Sequence, residues 1–269
     1  MKFSVIVVCL NPGEKLNMTV SSVLRQTYGD YEILIQDGMS EDGSIEMLPH
    51  DERIRIFREK DEGIYDGMNR AVERASGEYL HFLNCGDVYH DENVLKKIAS
   101  FIDIESAKEG GPLLAYGDIY NLRQDSFIQS NPAIDGFACY RNLPCHQACF
   151  YDRSLFAEHR YNTDYVIRAD YEHFLYCFYK TDCRIRYAGV TVASYEGGGF
   201  SETKENVKLS RAEHRAVTQL YMEPKDIRRY RLILALTLAP LRKKFAESRG
   251  GAAIYNKAKS LIYHTGRKE

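Results

Sequence analysis

The sequence predicts an α/β protein whose Rossmann-like, mostly parallel sheet is flanked by helices and followed by a helical C-terminal extension. Three observations support this prediction. A continuous apolar run over residues 3–10 is typical of a strand buried on both faces. Similar runs then alternate with segments of helical periodicity up to about residue 104, as in βαβ units. After residue 201 the pattern is helical throughout.

The first half of the chain is expected to contain four strands. They are predicted over residues 3–10, 31–37, 54–58 and 78–84. Asn11 and Pro12 follow the first strand and predict a helix there, with Asn11 as the capping side chain and Pro12 at the first helical position. Further helices are predicted over residues 65–75 and 91–103.

The second half is less regular and leads into the extension. Its predicted elements are strands over 113–119 and 184–193, short strands and turns over 120–165, a helix over 169–179, and terminal helices over 203–222, 226–247 and 251–263. We therefore predict a body over residues 1–201, divided into halves at 1–104 and 105–201, and a basic helical extension over 202–269.

Composition excludes several classes of protein. With 44% hydrophobic and 28% charged residues, the chain is neither collagen-like, disordered nor a multi-span membrane protein. Charge is unevenly distributed, because residues 225–269 contain 12 Lys and Arg against 3 Asp and Glu, whereas the preceding residues are net acidic. Seven cysteines, an odd number, and no signal-peptide pattern predict free thiols in the cytoplasm.

Three polar residues follow predicted strands. Asn11 follows the first strand, Asp37 ends the second, and Asp87 comes just after the fourth. Ligands of open parallel sheets bind outside the carboxyl ends of the strands, so these side chains predict one site. The alternative for each residue is that it only caps the helix that follows.

Motifs for several other chemistries are absent from the sequence. No GxGxxG follows the first strand, and no GxxxxGK[ST], GxSxG or HExxH occurs. A dinucleotide-binding site, a P-loop, a nucleophile elbow and a zincin-type metal site are therefore not expected.

Three stretches of the first half, FSVIVVCLNPGEKL, EILIQDGMSEDGS and EKDEGIYDGMNRAVERASGEYLHFLNCGD, resemble the nucleotide-sugar half of a family 2 glycosyltransferase with the GT-A fold. Three later stretches, LPCHQACFYDRSLF, VIRADYEHFLYCF and VASYEGGGFS, resemble the branch of that family that builds bacterial polysaccharides and O-antigens. The resemblance covers about residues 3–201. It implies inverting transfer of a sugar from a nucleoside-diphosphate sugar to a glycan or lipid-linked acceptor.

The resemblance also implies a divalent cation, Mn²⁺ or Mg²⁺. Such a cation bridges the donor phosphates and stabilises the charge that gathers on the leaving group. Asp87 stands at the family's metal-binding position, in the run Asn84-Cys85-Gly86-Asp87. Asn84 replaces the first carboxylate of the usual Asp-x-Asp-like run and is assigned to the donor side.

The resemblance places further residues around the donor. Asp37 matches the family's base-reading carboxylate, which can accept the imide N–H of uracil or the N1–H of guanine, and we favour a UDP-sugar. Leu10 and Asn11 are expected to line the same base pocket. Asp66 and Asn69 share one face of a helix and are placed near the donor ribose or sugar. Their alternative roles are a helix N-terminal carboxylate and a solvated neighbour.

Inversion requires a base on the face of the sugar opposite the leaving diphosphate. Asp170, in the segment ADYEHF, matches the family's base, although a simple helix N-terminal acid is the alternative. His146 and Gln147 are expected on the acceptor side; a buried, hydrogen-bonded histidine is the alternative for His146. Arg168 and Lys204 are further candidates for phosphate contact.

The extension contains an apolar segment, residues 232–241, between basic clusters at 225–231 and 242–244. Ten residues rise about 15 Å as a helix, half of a hydrocarbon core of about 30 Å, so the segment is too short to span. We expect it to lie on the inner face of the cytoplasmic membrane, where basic residues meet anionic headgroups. Packing against the body or against a homodimer partner is the alternative.

Two other functions remain compatible with the sequence, because a fold does not by itself determine a function. One is a non-catalytic GT-A-like binding or scaffold protein, and the other is a nucleotidyltransferase. A nucleic-acid partner is not expected. The residues leave open which sugar, acceptor and linkage are used.

Overall fold

The computed structural model describes residues 1–141, 143–197 and 203–236. Its strands are β1 (Phe3–Cys9), β2 (Tyr31–Asp37), β3 (Ile54–Arg58), β4 (Tyr79–Phe82), β5 (Val88–Tyr89), β6 (Leu113–Asn121), β7 (Ser126–Ile128), β8 (Cys149–Asp152) and β9 (Arg184–Tyr195). Its α-helices are α1 (Glu14–Leu24), α2 (Ile64–Arg74), α3 (Val94–Lys108), α4 (Gly136–Arg141), α5 (Ala169–Lys180), α6 (Lys204–Tyr221) and α7 (Pro224–Leu236). Two short 3-10 turns span His146–Ala148 and Arg153–Phe156.

The strands form one mixed sheet in the order β3-β2-β1-β4-β8-β6-β9-β5, with β7 paired to β6. The first four strands in this order are mutually parallel, as the β-α alternation predicts. Strand β8 lies antiparallel between β4 and β6 and joins the two halves, while β6 and β9 are again parallel. The predicted α/β class is confirmed.

Strand β1 shows why a continuous apolar run predicts a central strand. Phe3, Val5 and Val7 face one core, which α1 and α3 cover, and Ile6 and Val8 face a second core beneath α2 and α5. Alternate side chains of a strand point to opposite faces, so a strand covered on both sides needs apolar residues at every position.

Several predicted boundaries shift in the structure, and two of them bear on the candidate site. The prediction that Asn11 caps α1 and that Pro12 is its first helical residue is wrong, because α1 begins at Glu14 after Gly13. The Asn11 Oδ1 atom instead accepts a hydrogen bond from the Glu41 N–H at 2.9 Å. Strand β4 ends at Phe82 rather than residue 84, since the chain then turns toward Asp87.

The described part of the extension packs on the body through a third apolar cluster. Val217 of α6 and Ile227 of α7 are buried there with Leu175 of α5. Beyond them, Leu232 and Leu236 are 59% and 74% exposed. The domain boundary at residue 201 stays a prediction.

Several predictions fall on residues outside the described ranges. Residues 198–202 and 237–269 are among these, so half of the apolar segment 232–241 and all of the basic cluster 242–244 lie there. Within the described ranges, every helix is too short or too polar to cross a membrane.

Candidate active site

A polar cluster lies where the carboxyl end of β4, the 3-10 turn after residue 145 and the first turn of α5 meet. Tertiary folding brings five predicted site residues together there: Asn84, Asp87, His146, Gln147 and Asp170. They come from sequence positions up to 86 residues apart. These five side chains therefore lie together in the fold, and their donor, metal and catalytic roles stay predictions.

Asp87 is a partly buried carboxylate with few partners. Its Oδ2 atom accepts one hydrogen bond from Gln147 Nε2 at 3.3 Å. Burial raises the pKa of Asp87 to about 6, and the nearby His146 and Lys15 side chains offset only part of that rise. A carboxylate with a raised pKa and few donors is a good site for a cation, since a bound cation restores the lost solvation.

His146 connects Asn84 to Asp170. The distance from Asn84 Nδ2 to His146 Nε2 is 3.0 Å, and that from His146 Nδ1 to Asp170 Oδ2 is 3.4 Å. With the amide of Asn84 donating to Nε2, the imidazole carries its proton on Nδ1 and directs it at Asp170. Half-buried His146 thus couples the donor side of the cluster to the catalytic candidate.

Asp170 has more donors than Asp87. The Tyr171 N–H donates to Oδ1 at 2.8 Å, and the Tyr65 hydroxyl lies 3.0 Å from the same atom. Burial by itself would raise the pKa of Asp170, but the hydrogen bond from His146, together with these donors, lowers it below the usual value. Asp170 is therefore ionised at neutral pH, as a proton acceptor must be.

The donors around Asp87 and Asn84 fit a hard divalent cation. Asn84 Oδ1 is buried and has no hydrogen-bond partner among the described residues. Carboxylate and amide oxygens are ligands that Mg²⁺ and Mn²⁺ accept, and one or two such ligands suffice when substrate phosphates supply the rest. No group of three or more His, Cys, Asp or Glu residues within the described ranges forms a self-sufficient metal cage.

The predicted base-reading residue, Asp37, lies at the end of β2 and is fully buried. Its carboxylate accepts hydrogen bonds from the Ser40 N–H at 3.0 Å and from Arg58 Nε at 3.0 Å, and Arg58 also donates to the Ser40 carbonyl. These contacts fix the loop after β2. Direct contact between Asp37 and a nucleobase stays a prediction.

The loop after β1 packs against the loop after β2. The Asn11 N–H donates to Ser40 Oγ at 2.8 Å, and Asn11 adopts a φ of 48°, which Asn tolerates better than most residues. Leu10 precedes it and is 61% exposed, which is unusual for a leucine at the end of a central strand. Both residues therefore lie at the sheet edge where the donor is expected.

The side chains of Asp66 and Asn69 form hydrogen bonds with other groups of the protein in this structure. Asp66 Oδ2 accepts from the Glu62 N–H and from Arg70 Nε, as a helix N-terminal carboxylate does. The amide of Asn69 bonds both backbone groups of Tyr161, at 2.8 and 3.0 Å. These contacts match the alternative role of Asp66, and donor contact by either residue stays a prediction.

Sequence reasoning missed two residues of the cluster, Tyr65 and Lys15. Tyr65 orients Asp170 from 105 positions away, and no local pattern signals that contact. The Lys15 side chain packs against Gly86, whose φ of 97° favours glycine. One signal was available, because Lys15 is the second residue of α1, where a cation opposes the helix dipole. An anionic ligand would compensate for that placement.

Comparison with known proteins identifies the class and then the family. The fold is that of GT-A glycosyltransferases, and a family model described as "Glycosyl transferase family 2" matches residues 4–153, which is more than half of the chain. The chain belongs to glycosyl transferase family 2 and is a glycosyltransferase enzyme.

Two relatives are similar in sequence. A "PGL/p-HBAD biosynthesis glycosyltransferase" of Mycobacterium bovis is 37% identical over 209 residues, covering 75% of this chain and 79% of that protein. An "uncharacterized glycosyltransferase" of Mycobacterium tuberculosis is 30% identical over 183 residues, covering 64% of this chain and 67% of that protein. These relatives support the family, while the O-antigen branch stays a prediction.

Solved structures of S. aureus TarS share the fold. TarS 1–349 in complex with UDP aligns with a TM-score of 0.63 at 19% identity, over 93% of this chain and 73% of that chain. The complex with UDP-GlcNAc gives a TM-score of 0.61 over 93% and 74%. The chain spans 44% of the longer TarS structure. At this identity the likeness confirms the predicted GT-A fold.

Proposed function

We propose that this glycosyltransferase transfers a sugar with inversion from a UDP-sugar to a hydroxyl group of a glycan or lipid-linked acceptor. The observation that carries the proposal is the continuous set of contacts from Asn84 through His146 to Asp170, with Asp87 and Gln147 beside it. These contacts support a cation site and an ionised base close to each other, which is what a single in-line displacement requires.

The donor half of the proposal rests on Asp87, Asn84 and Lys15. Asp87 and the buried Oδ1 of Asn84 would hold Mn²⁺ or Mg²⁺, which supplies charge stabilisation to the leaving diphosphate. Lys15 adds a cation on the same side. TarS has been solved with UDP and with UDP-GlcNAc, which favours a uridine nucleotide over a guanosine nucleotide for a chain of the same fold.

The acceptor half rests on Asp170. Its carboxylate takes the proton of the attacking hydroxyl while the acceptor oxygen forms its bond to C1 of the sugar and the bond from C1 to the diphosphate breaks. His146 and Tyr65 hold the carboxylate in position during that step. Because no covalent intermediate is needed, one base is sufficient for inversion.

The acceptor class is inferred from similarity. The Mycobacterium bovis relative is named for PGL/p-HBAD biosynthesis, so a glycoconjugate acceptor is the class we propose here. A cell-surface polysaccharide or O-antigen remains within that class.

Release of free UDP from a panel of UDP-sugars and GDP-sugars, with Mn²⁺ and without acceptor, tests the donor assignment. We expect slow UDP release from at least one UDP-sugar, starting with UDP-GlcNAc, and none in EDTA. Release of pyrophosphate from a sugar phosphate and UTP would instead indicate nucleotidyl transfer. Binding of UDP-sugars without any turnover, even with a panel of glycan acceptors, would contradict the enzyme proposal.

We also propose that the C-terminal extension contacts the inner face of the cytoplasmic membrane. Exposed Leu232 and Leu236 continue the apolar segment beyond the packed part of α7, and the charge of residues 225–269 is basic. Since Ile227 is part of the core, the informative truncation ends at Leu236. Full-length protein should cosediment with anionic vesicles in a salt-sensitive manner, and the truncated protein should not; equal partitioning would overturn this assignment.

A further inference from the structure

A second polar site lies beside the start of α5, the helix that also carries Asp170 of the His146 cluster. It is an open cavity of about 440 Å³ between α4, the start of α5, α6 and α7. Four of its lining side chains are arginines, and the full lining is Tyr140, Arg168, Arg211, His214, Arg215 and Arg231. Such a volume is typical of small-ligand sites.

The arginines have few partners in the protein. Arg211, Arg215 and Arg231 are exposed and form no hydrogen bond or ion pair with the described residues. Arg211 and Arg215 are one turn apart on α6, where like charges repel each other. Clustered positive charges repel each other when the cavity holds no anion, and a bound anion would relieve this repulsion.

The cavity is partly pre-formed. Arg168 donates from Nε to Ser210 Oγ at 2.8 Å and lies over the ring of Tyr171, so its guanidinium is fixed toward α6. The nearby acid of α6, Glu213, is buried and turned away. Its two carboxylate oxygens accept the N–H groups of Val166 and Ile167 at 2.9 and 3.0 Å.

Electrostatics at His214 agree with this arrangement. Burial lowers its pKa, and the charges of Arg168 and Arg231 lower it further. The imidazole is therefore neutral at physiological pH, and its Nε2 is 2.8 Å from the carbonyl oxygen of Tyr140. The positive potential of the cavity thus comes from guanidinium groups, which bind phosphate oxygens in a bidentate manner.

The position of the cavity suggests its ligand. Arg168 immediately precedes α5, and Asp170 is the second residue of that helix. We propose that the arginine cavity binds the phosphate or diphosphate group of a lipid-linked acceptor, an inference that rests on the proposed function. An anchor at this place holds the acceptor beside the carboxylate that removes its proton.

Isothermal titration of the full chain with inorganic pyrophosphate tests the cavity directly. EDTA removes the cation through which the probe could bind at the donor site. We expect Arg211→Gln/Arg215→Gln to weaken pyrophosphate binding tenfold or more. Arg228→Gln/Arg229→Gln removes the same charge from exposed positions outside the cavity and should change the affinity less than twofold. If the first variant fails to fold, Arg231→Gln alone should weaken binding at least threefold. Equal binding by all proteins, or none by the wild type, would overturn the proposal.

Vesicle cosedimentation separates an acceptor phosphate from a bilayer headgroup. Binding of Arg211→Gln/Arg215→Gln to phosphatidylglycerol vesicles that is as strong as that of the wild type supports the acceptor assignment. Loss of vesicle binding by this variant, with phosphatidylcholine vesicles as the blank, would assign the cavity to a headgroup and overturn it. Pyrophosphate binding needs no turnover, so a failure of UDP release would leave this result interpretable.

Discussion

The loop after β4 and the first turn of α5 each contribute one carboxylate to the same polar cluster, but the two carboxylates have opposite environments. Asp87 is half-buried with one hydrogen bond, and its pKa is raised to about 6. Asp170 is surrounded by donors from Tyr65, Tyr171 and His146, and its pKa is lowered. The fold thus completes the solvation of one carboxylate and leaves that of the other incomplete.

This difference separates two chemical roles. A carboxylate that the protein already stabilises as an anion is ionised when the acceptor binds and can accept the proton of its hydroxyl group. A carboxylate that is desolvated without enough donors gains most from a cation. Environments that move two titratable groups in opposite directions are a common basis for dividing roles in an active site.

The largest effect is expected from removing the incompletely solvated carboxylate. Asp87→Ala should lower divalent-dependent turnover by about 10³-fold, because several kcal/mol of charge stabilisation are lost. Asp91→Ala, which removes an acid from the loop after β5, is the matched control and should retain activity. Steady-state UDP release with Mn²⁺ and with EDTA measures both. Full activity of Asp87→Ala, or insensitivity of the wild type to EDTA, would contradict the metal assignment.

A smaller but still large effect is expected at the other carboxylate. Asp170→Asn keeps the shape of the side chain but removes the proton acceptor, so kcat should fall by about 10²-fold or more with donor affinity nearly unchanged. Asp164→Asn alters an exposed acid just before α5 and should have no effect. The check is kcat and donor KM in a transfer assay. Weaker donor binding at unchanged kcat would make Asp170 a binding residue.

The raised pKa of Asp87 predicts a pH-dependent stability difference. The folded pKa of about 6 lies above the usual 3.8, so ionisation of Asp87 opposes folding above pH 6 and this penalty disappears as the pH falls toward 4. In EDTA, Asp87→Asn should therefore be more stable than the wild type at pH 8, by about 2 kcal/mol. Urea unfolding followed by circular dichroism at pH 8 and pH 4.5 measures the difference. A pH-independent difference would show that Asp87 is not desolvated.

The smallest effect is expected at the residue that links the two sides. His146→Ala removes both contacts of the imidazole and should lower kcat about tenfold, without changing donor KM, because Asp170 loses an orienting donor. His146→Asn can still place an N–H near the Nδ1 position and should recover part of the loss. His50→Gln changes an exposed histidine and serves as the control. No recovery by the asparagine variant would argue that His146 does not position Asp170.

Much of the fold could be predicted because its signals are local. Strand β1 is apolar at every position, and burial on both faces demands that pattern wherever the strand lies in the sheet. The placement of Asp37 at the end of β2 follows from the same local periodicity, and that of Asp87 in the loop after β4 follows from it less closely. Family motifs then pointed to Asp170, whose surroundings in the sequence alone are those of any helix N-terminus.

The contacts that make these residues a site were not predictable in the same way. Asn84 and His146 are 62 positions apart, and Asp170 and Tyr65 are 105 positions apart. Asn69 illustrates the converse, because a residue on the expected face of α2 bonds the backbone of Tyr161 instead. Side-chain partners at such separations depend on how β8 joins the two halves of the sheet, which periodicity does not encode.

The sequence by itself determined the α/β class, the first four parallel strands and the candidate carboxylates, since these depend on apolar periodicity and on short motifs. Only the tertiary structure decided which carboxylate is solvated and which is not. That outcome depends on burial and on donors such as Tyr65, Gln147 and His146, which approach from distant segments. The pKa of a side chain is set by the groups that surround it in space, and tertiary folding brings those groups together.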